Sequence, residues 1–139
     1  MRVLVDTSVW SKALRANHDS SNSHHLLELI EEGRVEIIGP IRQEILSGIR
    51  SEKQFKKLQN YLNAFPDILL TTEDYVLAAE SFNRCRSKGI QGSHIDFLIC
   101  AVAQTHNLCI YTLDQDFVSY ATVLSILLYK NDKSYCKKN

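Results

Sequence analysis

The sequence predicts an α/β domain of three layers, with helices on both faces of a central, mostly parallel sheet. Three observations predict it. Val3–Val5 is a short unbroken apolar run, the mark of a strand buried on both faces, and Val35–Ile38 and Cys109–Leu113 read as further short strands. Segments with helical spacing lie between these runs, the alternation that builds a parallel sheet covered on both sides. Finally, the 139 residues are 45% hydrophobic and 23% charged, a globular composition rather than a disordered one. That length fits about one domain at roughly 100–200 residues each.

Each element follows from local pattern. After Asp6-Thr7-Ser8, the residues Trp10, Ala13 and Leu14 recur at helical spacing. A polar break at Asn17–Ser23 precedes a second helix carrying Leu26, Leu29 and Ile30, ended by Gly33. The Val35–Ile38 strand stops at Gly39-Pro40, and proline suits a helix start because its missing N–H would be unpaired there anyway. Ile41, Ile45 and Ile49 continue at helical spacing. The next helix carries Phe55, Leu58 and Leu62 on one face, with Lys53, Lys56 and Lys57 elsewhere. Phe65-Pro66-Asp67 reads as a turn and Ile68–Leu70 as a minor strand. Thr71 and Thr72 are N-cap candidates for a helix bearing Tyr75, Ala79 and Phe82, closed by Lys88-Gly89. His94–Asn107 is a strongly apolar, central helix, and Ser125–Tyr129 a last strand. No repeat, low-complexity segment or linker interrupts the pattern. Residues 1–130 therefore read as one domain and 131–139 as a short basic tail.

Charge and cysteine usage exclude several classes. The 16 basic and 16 acidic residues cancel, which rules out a strongly basic nucleic-acid wrapper and a polyacidic tail protein. No stretch approaches the roughly 20 apolar residues that span a bilayer, and the first apolar run meets Asp6 too soon for a signal-peptide core. Cys85, Cys100, Cys109 and Cys136 form no CxxC pair and are too sparse for a secreted disulfide scaffold. These features predict a soluble, cytoplasmic protein with reduced thiols and no membrane partner.

The acidic residues carry the functional signal. Glu31, Glu32 and Glu52 sit on polar faces and need no explanation. Asp6 follows the first strand at its C-terminal end, Asp114 follows the Cys109–Leu113 strand, and Asp116 lies two residues beyond. Open α/β sheets bind ligands outside the carboxyl ends of their strands. Glu44 shares a helical stripe with Ile41, Ile45 and Gly48, and Asp96 shares one with Ile99, Cys100 and Ala103. Both carboxylates are thus expected to point with apolar faces, which costs several kcal/mol unless each is paired or holds a metal. Singly, each has an ordinary explanation. Asp6 is a candidate N-cap, Asp96 a helix-start anion, Glu44 a partner for Arg42 or Arg50, and Asp114 and Asp116 loop residues. Together they are harder to explain apart. Carboxylates gathered in one cleft repel one another, and a hard divalent cation such as Mg²⁺ resolves the repulsion. Two such ions can clamp the attacking and leaving oxygens of a phosphoryl displacement.

Val5-Asp6-Thr7-Ser8-Val9-Trp10, Gln43-Glu44-Ile45, Ile95-Asp96-Phe97-Leu98-Ile99-Cys100-Ala101 and Thr112-Leu113-Asp114-Gln115-Asp116-Phe117, in this order, resemble a PIN-domain ribonuclease. Within that group the chain is most similar to VapC toxins of toxin–antitoxin pairs. The resemblance spans essentially the whole chain. It implies a PIN-like three-layer fold and an endoribonuclease dependent on Mg²⁺ or Mn²⁺, with Asp6, Glu44, Asp96 and Asp114 as catalytic metal ligands. Asp116 is then an accessory carboxylate, with Thr7 and Thr112 as hydroxyls near the metal or the scissile phosphate. It further implies a homodimer, a VapB-type antitoxin that neutralises the toxin, and tRNA or ribosomal RNA as substrate. With water as nucleophile, the products carry a 5′-phosphate and a 3′-hydroxyl. His94 is outside the family pattern and receives no catalytic role.

An acidic site repels RNA, so backbone contacts are expected from Lys12 and Arg15, from Arg50, Lys53, Lys56 and Lys57, and from tail residues Lys130, Lys133, Lys137 and Lys138. Solvated helix faces are the plainer reading of the same charges. Other enzyme classes fail on the text. A haloacid-dehalogenase-type phosphatase needs a second Asp where Ser8 stands, and no Gly-rich phosphate loop follows the first strand. A response receiver needs a lysine after a late strand, and the His24-His25 pair has no zinc spacing. The remaining alternative is a non-catalytic PIN-like module that binds RNA or protein. Four intact acidic positions weigh against it.

Overall fold

A computed structural model describes residues 1–15 and 21–130, with the side chains of residues 15, 21 and 22 outside the description. The elements run β1 (Val3–Val5), α1 (Thr7–Arg15), α2 (Ser21–Glu31), β2 (Val35–Ile38), α3 (Gly39–Leu46), α4 (Glu52–Leu62), β3 (Asp67–Ile68), α5 (Thr72–Ser87), α6 (His94–Thr105), β4 (Cys109–Tyr111), α7 (Asp116–Ala121) and β5 (Leu127–Leu128). The strands form one five-stranded sheet in the order β3-β2-β1-β4-β5. Every pairing is parallel, with Val3 opposite both Val35 and Cys109, and Leu4 opposite Glu36 and Ile110.

Parallel neighbours need crossover connections, and helices supply them here. Successive side chains of a strand point to opposite faces. Val3, Leu4 and Val5 are all fully buried, so both faces of the central strand are covered. Ile37, Ile38, Phe97, Ile99, Ile110, Phe117 and Trp10 complete the core around it. From β1 the chain winds outward through β2 to β3, then returns to the other side of β1 for β4 and β5. The direction of winding therefore reverses between β1 and β4, and that is where an open α/β sheet leaves a crevice at its carboxyl edge.

Several boundaries differ from the sequence reading. The second helix begins at Ser21, inside the expected polar break. The third ends at Leu46, because Gly48 turns the chain at φ +84°, and Ile49 lies beyond it. β3 is shifted to Asp67–Ile68, β4 stops at Tyr111 and β5 shrinks to Leu127–Leu128. The short helix α7 has no counterpart in the sequence reading. The largest correction concerns α5. Its inward stripe is Asp74, Ala78, Ser81 and Cys85, whereas Tyr75 and Ala79 are exposed and Phe82 is half-buried. Cys85 and Cys100 are free and buried, and Cys136 lies outside the described residues. Among the described residues, no helix is long and apolar enough to cross a membrane.

Candidate active site

Two chain segments, 106 residues apart, meet at the reversal point. Asp6 leaves the end of β1 with its amide donating to the Tyr111 carbonyl of β4 at 2.8 Å. The residue is buried, 7% exposed. Oδ2 accepts the Ser8 hydroxyl at 2.8 Å and the Thr112 hydroxyl at 2.8 Å. Among the described residues no α1 amide donates to that carboxylate, so it is not a helix cap; the Asp6 carbonyl takes the first turn instead, from the Val9 amide at 3.1 Å. The Thr112 hydroxyl also accepts the Asp114 amide at 3.0 Å, and Ser8 Oγ accepts the Leu113 amide at 3.0 Å. These bonds use the polar groups just past β4 in the site and explain why the ladder stops at Tyr111.

Asp114 Oδ1 accepts the Asp116 amide at 2.9 Å, which starts α7. Asp96 lies in the first turn of α6, its amide donating to the N-cap Ser93 at 3.1 Å. One ligand oxygen from each of Asp96, Asp114 and Asp116 falls within 4.8 Å of the others. Asp6 and Glu44 are not members of that tight group. Glu44 departs most from its expectation. It is exposed rather than turned into the core, and its Oε2 accepts the Thr7 hydroxyl at 2.7 Å. Its stripe neighbour Gly48 has left the helix, so the end of α3 opens toward solvent. Arg42, one suggested partner, instead pairs with Asp67 at 3.0 Å and donates to the Leu62 and Phe65 carbonyls.

Neutral hydroxyls hold these carboxylates: Ser8 and Thr112 on Asp6, Thr7 on Glu44, and Tyr120 on Asp96 at 2.7 Å. No lysine or arginine among the described residues forms an ion pair with any of the five. Burial, then the hydrogen bond to Asp96 and the charges of Asp96, Asp116 and Asp114, push the Tyr120 hydroxyl far above its ordinary pKa, so it stays a donor. Burial and the nearby acids likewise push the Cys100 thiol up, which leaves it inert beside the site. An all-oxygen set of clustered acids, fixed in place yet not neutralised, fits a hard divalent cation.

Ser8 and Tyr120 were not anticipated. Ser8 sits two residues past Asp6, a position where a short hydroxyl reaches back to the carboxylate. Tyr120 follows Asp116 by four residues, the spacing that places both on one helix face, but at six residues α7 is too short to show a periodic pattern. Of the basic candidates, Lys12 is exposed on α1, and Lys53, Lys56 and Lys57 are exposed on α4, Lys56 with Glu52 at 3.8 Å. Arg50 and Lys130 are also exposed. The Arg15 side chain, Lys133, Lys137 and Lys138 lie outside the described residues. His94 is exposed and stacks on Phe82, with ring centroids 5.2 Å apart.

A family model described as the PIN domain matches residues 3–123. Ribonuclease VapC11 of Mycobacterium tuberculosis is 30% identical over 127 residues, covering 89% of this chain and 95% of the relative. Among solved structures, VapBC2 from Rickettsia felis bound to a DNA fragment from their promoter aligns with a TM-score of 0.77 at 18% identity, covering 95% of this chain and all of that one. A toxin–antitoxin complex from Klebsiella pneumoniae aligns with a TM-score of 0.64 at 18% identity, covering 83% and 89%. At those identities the two structures speak for the fold, while the family match and the mycobacterial relative speak for descent. The chain belongs to the PIN-domain family.

Proposed function

We propose that this protein is a VapC-type toxin, a divalent-metal-dependent endoribonuclease that hydrolyses RNA phosphodiester bonds and arrests translation or growth. The observation that carries the reading is the clustering of Asp96, Asp114 and Asp116 within 4.8 Å at the sheet's reversal point, with hydroxyls rather than cations around the site acids. Asp6, Glu44, Asp96 and Asp114 hold the Mg²⁺ or Mn²⁺, and Asp116 assists them. When bound, the cation supplies the positive charge that stabilises the transferring phosphate and makes water a competent nucleophile at neutral pH. The chain's own groups orient the site. Ser8 and Thr112 fix the Asp6 carboxylate, Thr7 fixes Glu44, and Thr112 also seats the loop that carries Asp114.

RNA as substrate is supported by the ribonuclease name of the mycobacterial relative, with tRNA or ribosomal RNA as the target class. Lys12, Arg15, Lys53, Lys56 and Lys57 contact the phosphate backbone and supply salt-dependent affinity without sequence choice. A VapB-type antitoxin holds the enzyme inactive, a reading supported by the fold shared with VapBC2 of Rickettsia felis and with the Klebsiella toxin–antitoxin complex. The working unit is a cytoplasmic homodimer, each protomer one PIN domain over residues 1–130 with a basic tail after it.

Purified protein incubated with total RNA and Mg²⁺ or Mn²⁺ tests the reading directly. Cleavage is expected with either metal, lost with EDTA and in Asp6→Asn and Asp96→Asn, leaving 5′-phosphate and 3′-hydroxyl ends. Cleavage that persists in both variants, or 2′,3′-cyclic phosphate ends, would sink the mechanism. RNA binding without cleavage under every metal condition would favour the non-catalytic module.

A further inference from the structure

We infer that Tyr120 is a positioning residue for Asp96, and that position 92 is glycine because the Tyr120 hydroxyl occupies the space a side chain would need. The inference deepens the nuclease reading and rests on it. Tyr120 is fully buried. Its ring is wedged between Phe97, with centroids 4.8 Å apart, and Phe117, at 5.1 Å edge-on. From that fixed seat its hydroxyl donates to Asp96 Oδ2 at 2.7 Å.

Gly92 supplies the independent observation. A Cβ built there would lie 2.2 Å from Tyr120 Oη, 2.7 Å from Tyr120 Cζ and 2.9 Å from Phe97 Cε2. Gly33, Gly48 and Gly89 have positive φ, but Gly92 does not. Backbone conformation therefore gives no reason for glycine at 92; space does. The loop before α6 is cut back to admit one phenol, and that phenol reaches one carboxylate.

The choice of a phenol follows from the chemistry of the cluster. Asp96 stands within 4.8 Å of Asp114 and Asp116, so its charge needs a partner and its orientation needs a restraint. A lysine or arginine there would neutralise Asp96 and compete with the cation. A buried tyrosine restrains the carboxylate and leaves the charge in place. α7 does this as a unit: Asp116 opens it, pinned by its amide on Asp114, and Tyr120 lies one turn on, reaching across to α6.

Mn²⁺ titration calorimetry on the full chain, with thermal melting alongside, tests the assignment. Wild type, Tyr120→Phe, Asp96→Asn and the double variant form a cycle. Tyr120→Phe is expected to weaken Mn²⁺ binding about 10–100-fold, the usual cost of losing a group that orients a metal ligand, and to add no further loss in the Asp96→Asn background. Unchanged Mn²⁺ affinity in Tyr120→Phe overturns the positioning role. So does an equal loss in both backgrounds, which makes the hydroxyl a general structural element. Unchanged affinity in Asp96→Asn overturns instead the metal reading beneath it, so the two failures are separable. Gly92→Ala is expected to reproduce the affinity loss or to lower the melting temperature; a Gly92→Ala chain normal in both overturns the spatial half.

Discussion

Thr112 serves two acids with one hydroxyl, donating to Asp6 at 2.8 Å and accepting the Asp114 amide at 3.0 Å. Valine has nearly the same shape but neither function. Thr112→Val should therefore leave the buried Asp6 short of a donor and loosen the Asp114 loop, costing about 1–3 kcal/mol of stability. Denaturant unfolding would show this, and a loss below about 0.5 kcal/mol would mean the loop re-satisfies itself. Thr112→Ser, which keeps the hydroxyl, should recover most of the loss. Asp6, Asp114 and Asp116 were legible as candidates because strand ends are visible in apolar patterning. Their hydroxyl partners were not, since a bond between Thr112 and Asp6 joins residues that no local pattern relates.

At the scale of the element, α5 shows how a polar residue can decide which face of a helix turns inward. Apolar spacing pointed to Tyr75, Ala79 and Phe82. The structure instead buries Asp74, only 1% exposed, with Ala78, Ser81 and Cys85. Asp74 is the N3 residue of a capping box with Thr71, and Thr105 of α6 donates to its Oδ1 at 2.6 Å. These bonds at the start of the helix set its rotation, leaving Tyr75 exposed and Phe82 half-buried against Phe97. Hydrophobic periodicity cannot weigh such anchors, so it locates the helix without fixing which face turns inward. Burial raises the Asp74 pKa, but the hydrogen bonds from Thr105 and Thr71 and the nearby His106 outweigh it, leaving it below the ordinary 3.8. A lowered folded pKa stabilises the protein above the unfolded value and is lost as pH falls through the folded one. The contribution of Asp74 should thus be complete at neutral pH, begin to fall near pH 3.8 and vanish only below its lowered folded pKa. Asp74→Asn should cost about 1–3 kcal/mol at pH 7, and unfolding curves of the two proteins should converge under acid. A gap that stays constant with pH would contradict this.

For the molecule as a whole, acids gathered at the reversal point repel one another, and the proposed cation would turn that cost into a gain. Mn²⁺ or Mg²⁺ should stabilise the folded chain by about 2.7 kcal/mol at a hundred times the dissociation constant. For a domain of this size that is a rise of roughly 5–10 °C in melting temperature, reversed by EDTA and reduced in Asp96→Asn. An unchanged melting curve across that titration would argue against a metal site. The three-layer architecture was legible from alternation of strand and helix patterns. The all-parallel order β3-β2-β1-β4-β5 was not, because a sequence shows which strands exist but not which side of β1 each returns to.

That strand order has a consequence for the making of the protein. β1 lies in the middle of the sheet, yet one of its two neighbours, β4, is among the last elements written. The Asp6 carboxylate waits for a hydroxyl 106 residues downstream, and Asp96, Asp114, Asp116 and Tyr120 all belong to the final third of the chain. A growing polypeptide on the ribosome, or a fragment released early, carries the first acid without the others. On the proposed nuclease reading, cleavage can begin only when synthesis has passed α7, so the order of strands delays it until the last of the clustered acids has been made.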